Sequence, residues 1–397
     1  MESILRIREH VSQSLERYQI GSAMFYLAFI TYLVGHFMSG TMYILVFGDN
    51  LQYRIWLVAC LLALFKIILF NSYRTWQDTS VVVLIGLVIW ASSLNTNTWD
   101  MIYYYVMIVA AQDMKFQNIV KVFLTTTITL VLITFISAKL GIIMGLTNVR
   151  DGSTDLRYAL GMVYPTDLAA RLFYIELFYV VLRKFKLNLS EYVIWGAVIA
   201  FGYIVTNTRL DALLMLMILI VSLLRKQVIS VLKKLSVGGI SVVAGIGIAT
   251  IVGITYLYNP NNFIFNKIDG VLSGRLHFGH IAFERFNVQF FGQVIQQVGN
   301  GGLHGRVYDY FFIDCSYIRV LMMNGLVSFL LLMMLIFGLI RYFMSVKSYT
   351  LVLALLFVIL SSVIDQHLLE ISFNCLFLAV FADITYFKND ELNSLYV

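Results

Sequence analysis

Three arginines in separate parts of this chain have neighbours that suit anion binding. Ser273-Gly274-Arg275 precedes a helical stretch, so Ser273 reads as its N-cap. The free N–H groups of that first turn attract an anion, and Arg275 adds a planar fork that matches phosphate or carboxylate. The same residues can equally do no more than cap and pair at a surface. Arg209 follows Thr206-Asn207-Thr208 in a tight polar turn, with Asp211 two residues on; hydrogen bonding within the turn is the plain alternative. Arg150 and Arg157 each lie near an aspartate, Asp151 and Asp155. A solvated ion pair of little energetic worth accounts for Arg150. Arg157 instead stands close to Pro165, which opens an apolar helix, and so lies at a membrane edge.

Other ionisable residues are more ambiguous. Asp167 and Arg171 stand four apart on the helix that Pro165 opens, and Arg171 falls about 9 Å below its end. At that depth it is either a functional residue or the structural partner of Asp167. Glu176, deeper still, has no partner legible in the sequence. His277, His280 and Glu284 share one helical face and invite a metal, but the set is incomplete and a solvated face accounts for it. His304, in the run Gly299-Asn300-Gly301-Gly302-Leu303-His304-Gly305, is a proton carrier or has no role. That run lacks GxxxxGK[ST] and is no P-loop. Asp314 starts a helix, where the dipole stabilises a carboxylate; it caps, or it serves as general base to an acceptor hydroxyl.

The elements that must position these groups are membrane helices. Apolar residues make up 60% of the 397 and charged residues only 13%, against roughly 45–50% and about 25% in soluble domains. A mean hydropathy of +0.84 points the same way. With only two prolines and no low-complexity tract, the chain is neither disordered nor collagen-like. Unbroken apolar runs exclude an alternating β-barrel. Cys60, Cys315 and Cys375 lie far apart without a CxxC, so no disulfide framework or metal site is indicated. The net charge of +6 is scattered among apolar segments and reads as topology, with no nucleic acid implied.

The expected fold is all-α, a single polytopic membrane domain over 1–397. Twelve spans are predicted, at about 20–39, 53–70, 79–94, 98–112, 119–139, 165–183, 191–206, 209–225, 236–258, 314–341, 349–364 and 368–386. Residues 1–19 are charged, lack a small-residue cleavage site and repeat apolar residues at helical spacing. They read as a cytoplasmic surface helix and not as a secretory signal. Placing both termini in the cytoplasm puts 17 of the 28 Lys and Arg inside. The other 11 are Arg54, Lys139, Arg150, Arg157, Arg171, Arg209, Lys267, Arg275, Arg285, Arg306 and Arg319, nine Arg to two Lys. Outward arginine works against the topological rule, so an anionic ligand at the outer face is the expected cause. Two outer loops, 140–164 and 258–313, carry most of these residues. In the second, Leu272, Leu276, Gly279, Phe283, Phe286 and Phe290 form one apolar stripe of an amphipathic helix.

Taken in order, these segments form a pattern. Leu-Ser-Gly-Arg at 272–275, Phe291-Gly292, and Asp-x-x-Tyr-x-x-x-Leu-x-x-x-Gly at 314–325 follow one another around the large late loop. With Arg157-Tyr158-Ala159-Leu160-Gly161 ahead of Tyr164-Pro165, and Thr206-Asn207-Thr208-Arg209, the chain resembles the Wzy-type polysaccharide polymerases, in the wider O-antigen ligase and polymerase group. The resemblance covers the layout of the whole chain but only about 30 residues in motif. It implies inverting glycosyl transfer between undecaprenyl-diphosphate-linked oligosaccharides at the outer face of a bacterial cytoplasmic membrane, with the lipid diphosphate leaving. No metal or nucleotide cofactor is implied. A flippase and a chain-length regulator of the same pathway are the protein partners it implies. Carried over by motif, Arg157, Arg209 and Arg275 hold the diphosphate, and Asp314 is the fourth catalytic candidate. Arg171, Tyr317, His304, His277 and Arg285 are the further substrate-binding candidates. Ligases of the group have His where this chain has Asp314, which favours a polymerase and leaves the base open. An oligosaccharide ligase with the same donor, and a transporter or lipid-linked-sugar flippase, are the alternatives; a transporter should show internal repeats.

Overall fold

A computed structural model describes residues 19–72, 75–149, 155–299 and 309–389. The surface helix expected at 1–19 falls almost wholly outside them, as do Arg150, His304 and Arg306. The chain is almost entirely helical: α1 (Ile20–Ser39), α2 (Ile44–Phe70), α3 (Trp76–Thr96), α4 (Asp100–Ala110), α5 (Phe116–Lys139), α6 (Pro165–Leu182), α7 (Leu189–Thr206), α8 (Arg209–Leu223), α9 (Arg225–Lys234), α10 (Val237–Tyr256), α11 (Phe263–Val271), α12 (Arg275–Arg285), α13 (Ser316–Ser345) and α14 (Tyr349–Ile364). One short hairpin, β1 (Thr147–Val149) with β2 (Leu156–Tyr158), interrupts the helices and pairs Asn148 with Arg157.

Seven described helices are long and apolar enough to cross a membrane, and an eighth crossing results if α8 and α9, bent by 86°, are one span. Their side chains say what surrounds them. In α2, α3 and α10 only 22% of the spanning window is buried, and Leu57, Leu84 and Val243 are at least half exposed. Helices that present leucine and valine outward on most faces are stable where the solvent is lipid. α6 is the opposite: it carries Asp167, Arg171 and Glu176, and nearly every residue from Pro165 to Val181 is buried within the bundle.

Not all of the twelve expected spans are present as such. The expected 98–112 span is the 11-residue α4, about 16 Å at 1.5 Å per residue and too short to cross alone. The expected 368–386 span is not a continuous helix. Short 3-10 turns at His367–Leu369, Leu376–Val380 and Thr385–Phe387 are joined by irregular chain. Non-helical backbone at this depth is tolerated only where protein covers it, and here Ile371, Cys375, Phe377 and Leu378 are fully buried. Asn374 serves the unwound carbonyls and amides, donating to Leu368 O and accepting from Leu376 N, while Tyr104 donates to its carbonyl. The segment runs through the bundle from the end of α14 to the start of α5, where Asp383 and Lys115 pair by backbone bonds.

α13 contains a π-turn at Val320–Asn324, and the carbonyl it frees at Met323 accepts from Gln293 N. Gly292 and Gly325 make that contact possible. Both hold positive φ, and a Cβ on Gly325 would lie 2.3 Å from Gly292 N. The expected loop 258–313 carries two helices, not one. Its apolar stripe holds through Leu276, Gly279 and Phe283, but Phe286 ends α12 and Phe290 is exposed. Ser273 is not the cap of α12: Gly274, at φ +86°, occupies that place without a side chain.

Candidate functional site

The chain brings Arg157, Arg209, Arg275 and Asp314 to one cavity of about 180 Å³ at one end of the bundle. Each arrives on a different element. In β2, Leu156 and Tyr158 are exposed, so strand alternation turns Arg157 inward, where its Nε donates to Thr206 O at 2.7 Å. Thr206 closes α7, Asn207 turns the chain at positive φ, and Arg209 begins α8 with its side chain exposed. Arg275 starts α12; its Nε donates to Ile364 O and its Nη1 to Leu272 O, tying the loop to the end of α14. Tyr164, Tyr310 and Phe312 complete one wall. Tyr164 is placed by the preceding turn, where Val163 N donates to Gly40 O and Met42 N to Gly161 O.

The helix end beside Arg275 is not an open anion site. Asp269 Oδ1 accepts from Leu276 N at 2.8 Å and His277 N at 3.2 Å, so the first-turn amides are already taken. The anion-holding capacity of this cavity therefore rests on guanidinium groups.

Charge is layered. Arg209 lies at the rim, Arg157 and Arg275 are half-buried, and Asp211 and Asp365 are buried in the floor. Burial raises the carboxyls of Asp314 and Asp365 above the ordinary aspartate range, and Arg275, beside both, draws each part of the way back. Burial likewise raises the Tyr310 hydroxyl, with Asp314 adding to it. The cations at the mouth can bind an anion, and a carboxyl of raised pKa can, once ionised, take a proton from a neighbouring hydroxyl.

The remaining candidates fall elsewhere. Arg171 lines a second cavity, its guanidinium carbon 4.0 Å from the Phe37 ring centre and 4.1 Å from that of Phe373. Tyr317 borders neither cavity; it is fully buried and donates to Ile359 O at 2.9 Å. His277 is exposed against Phe278, and Arg285 is exposed over Phe311. His280 turns its Nδ1 to Thr255 O and its Nε2 to Glu284 at 3.4 Å.

Sequence reasoning did not single out Asp365, Gln366 and His367, which line the cavity, or Glu370 behind them. Their signal was present: four polar residues within six positions, inside an otherwise apolar stretch, are a functional candidate at membrane depth. Reading 368–386 as another helix concealed it.

Fold and cavity together define a multi-pass helical membrane protein with an arginine-lined polar cavity at one end of the bundle. Compared with known proteins, the chain matches no family model, no curated protein and no solved structure.

Proposed function

We propose that this chain is a polysaccharide polymerase of the bacterial cytoplasmic membrane, joining undecaprenyl-diphosphate-linked oligosaccharide repeat units. On this reading the cavity faces outward, both termini are cytoplasmic, and a flippase and a chain-length regulator work beside it. The single observation that supports it most is the convergence of Arg157, Arg209 and Arg275, from three separate elements, on one cavity. Planar forks fixed by backbone carbonyls are pre-organised donors for a diphosphate whose charge grows as it departs. The acceptor's hydroxyl oxygen bonds to the anomeric carbon on the face opposite the leaving group. The bond from that carbon to the diphosphate oxygen breaks, and the diphosphate leaves with the electron pair. The hydroxyl proton passes to a base at the cavity, where Asp314 is one group in reach of the arginines.

The test uses the full-length protein in lipid nanodiscs. Its substrate is the lipid-linked repeat unit isolated from host membranes that lack this chain. A ladder of products is expected. Arg157→Ala, Arg209→Ala and Arg275→Ala should each lose about 10²–10³ in rate, while Arg285→Ala, exposed and off the cavity, should stay near the parent. Arg209→Ala is the cleanest variant because its side chain is exposed. Transfer of a single unit to a different acceptor would make it a ligase. Full-length polymer from all three cavity variants would leave the reading without a mechanism.

A further inference from the structure

A second cavity, of about 200 Å³, adjoins the arginine-lined one, and the two share Tyr164, Asp167, Gln366 and His367. The residues that line it carry buried polar atoms with no hydrogen-bonding partner among the described residues: Trp56 Nε1, Asp100 Oδ1, Arg171 Nε and Nη2, and Gln366 Oε1. Arg171 is only 1% exposed. Leaving so many buried groups unmet carries a penalty comparable to the stability of a whole domain. The cavity is therefore built for something that both donates and accepts.

The unmet atoms define its chemistry. Trp56 and Arg171 offer N–H groups, whereas Asp100 and Gln366 offer oxygens. An anion would use the first set and be opposed by Asp100, Asp167 and Glu370 on the same walls. Hydroxyl groups use both sets, since each donates once and accepts twice. The ring of Trp56 supplies apolar surface for a sugar's C–H groups, whereas both faces of Phe373 are already taken, by His367 and by Arg171.

His367 stands on the shared wall. Its Nδ1 is 2.8 Å from Glu370 Oε2, and its ring lies on Phe373 at 3.6 Å with 8° between planes. A carboxylate only accepts, so Nδ1 carries a proton, and whenever the ring is neutral it is Nε2 that keeps the lone pair. The nearest carboxylate to Nε2, on Asp167, is 3.8 Å away, beyond hydrogen-bond distance. His36, the other imidazole of the second cavity, does not border the arginine cavity and is bonded to Ser372. Asp314 borders only the arginine cavity.

We propose that the second cavity holds the terminal sugar of the acceptor, and that His367, held by Glu370, takes the proton from its attacking hydroxyl. This rests on the glycosyl-transfer reading above. As the new carbon–oxygen bond forms and the diphosphate departs with its electron pair, the hydroxyl proton moves to Nε2, and Glu370 balances the resulting imidazolium. Donor and acceptor then enter from the two sides of one wall.

The probe is the repeat-unit oligosaccharide freed from its lipid by mild acid, which keeps the hydroxyls and lacks the diphosphate. Titrated into the full-length protein in nanodiscs, it should bind. Trp56→Phe and Asp100→Ala, each of which removes one unmet polar group, should each weaken it about tenfold or more, the worth of one hydrogen bond to a buried group. Arg209→Ala should leave this binding unchanged. In single turnovers, His367→Asn should lower the rate by about 10²–10⁴ with donor affinity intact. Glu370→Gln, which still accepts from Nδ1–H, should slow turnover while keeping both ligands, and it carries the test if His367→Asn does not fold. Binding indifferent to Trp56→Phe and Asp100→Ala would mean that the cavity holds water only. That result, or parental rates in both His367→Asn and Glu370→Gln, overturns the proposal. Failure of the parent protein to make a ladder would instead count against the polymerase reading, because oligosaccharide binding is measured without turnover.

Discussion

Arg171→Lys keeps a positive charge at the centre of the bundle and removes everything else the guanidinium does there. Arg171 is sandwiched between Phe37 on α1 and Phe373 on the unwound segment, at 4.0 and 4.1 Å. Its Nη1 also reaches Ser372 O and Oγ, both at 3.3 Å. A desolvated cation–π contact is worth up to about 2 kcal/mol, so two contribute about 4. The long bonds to Ser372 add little, and an ammonium recovers part of one ring contact, leaving a net loss of about 2–4 kcal/mol. The loss should fall on the segment that Arg171 pins. Cys375, fully buried in that segment, reports on it. In a background with Cys60 and Cys315 replaced by Ala, maleimide labelling of Cys375 follows local opening. Arg171→Lys should speed it about 30- to 1,000-fold, at 1.36 kcal/mol per decade. Labelling as slow as in the parent would show that the sandwich does not hold the segment and that the energetic reasoning is wrong.

Three further outcomes are expected. Gly325→Ala puts a Cβ 2.3 Å from Gly292 N and 2.6 Å from Phe290 O at a φ of +90°; it should cost about 3 kcal/mol or more, read as a lowered unfolding midpoint, whereas Gly338→Ala, with open space around it, should not. Glu176 is fully buried with neither carboxyl oxygen partnered among the described residues, so Glu176→Leu should raise stability by about 1–3 kcal/mol, and a lowered midpoint would show that the carboxyl has a task. The raised Asp314 carboxyl holds its proton more tightly folded than unfolded, so its contribution to stability is present below the ordinary value of 3.8 and is lost as pH rises through the raised one. Asp314→Asn should flatten that mildly acidic part of the stability curve, and parallel curves for parent and variant would refute it.

Helical class and membrane character could be read from residue types alone, because burial of apolar surface in lipid needs long apolar runs and nothing finer. The limits of α1, α3, α5 and α7 follow closely from where polar residues resume, as at Thr75, Asn97 and Asn188. Arg157, Arg209 and Arg275 stood out because arginine beside turn residues is a local pattern. Their sharing one cavity was not local: it depends on a strand face, a helix start and a carbonyl at the end of α14 meeting in space. The cap of α12 went the same way, since Asp269 reaches the amides from another helix and leaves Ser273 no part. The segment 368–386 was misread for a related reason. Its composition suits a helix, and only the enclosing bundle, with Asn374, Tyr104 and Arg171 as partners, lets its backbone unwind at depth. His367 and Glu370 became a pair between two cavities through that unwinding. Periodicity records what a segment buries, while tertiary contacts decide which buried backbone can do without a helix.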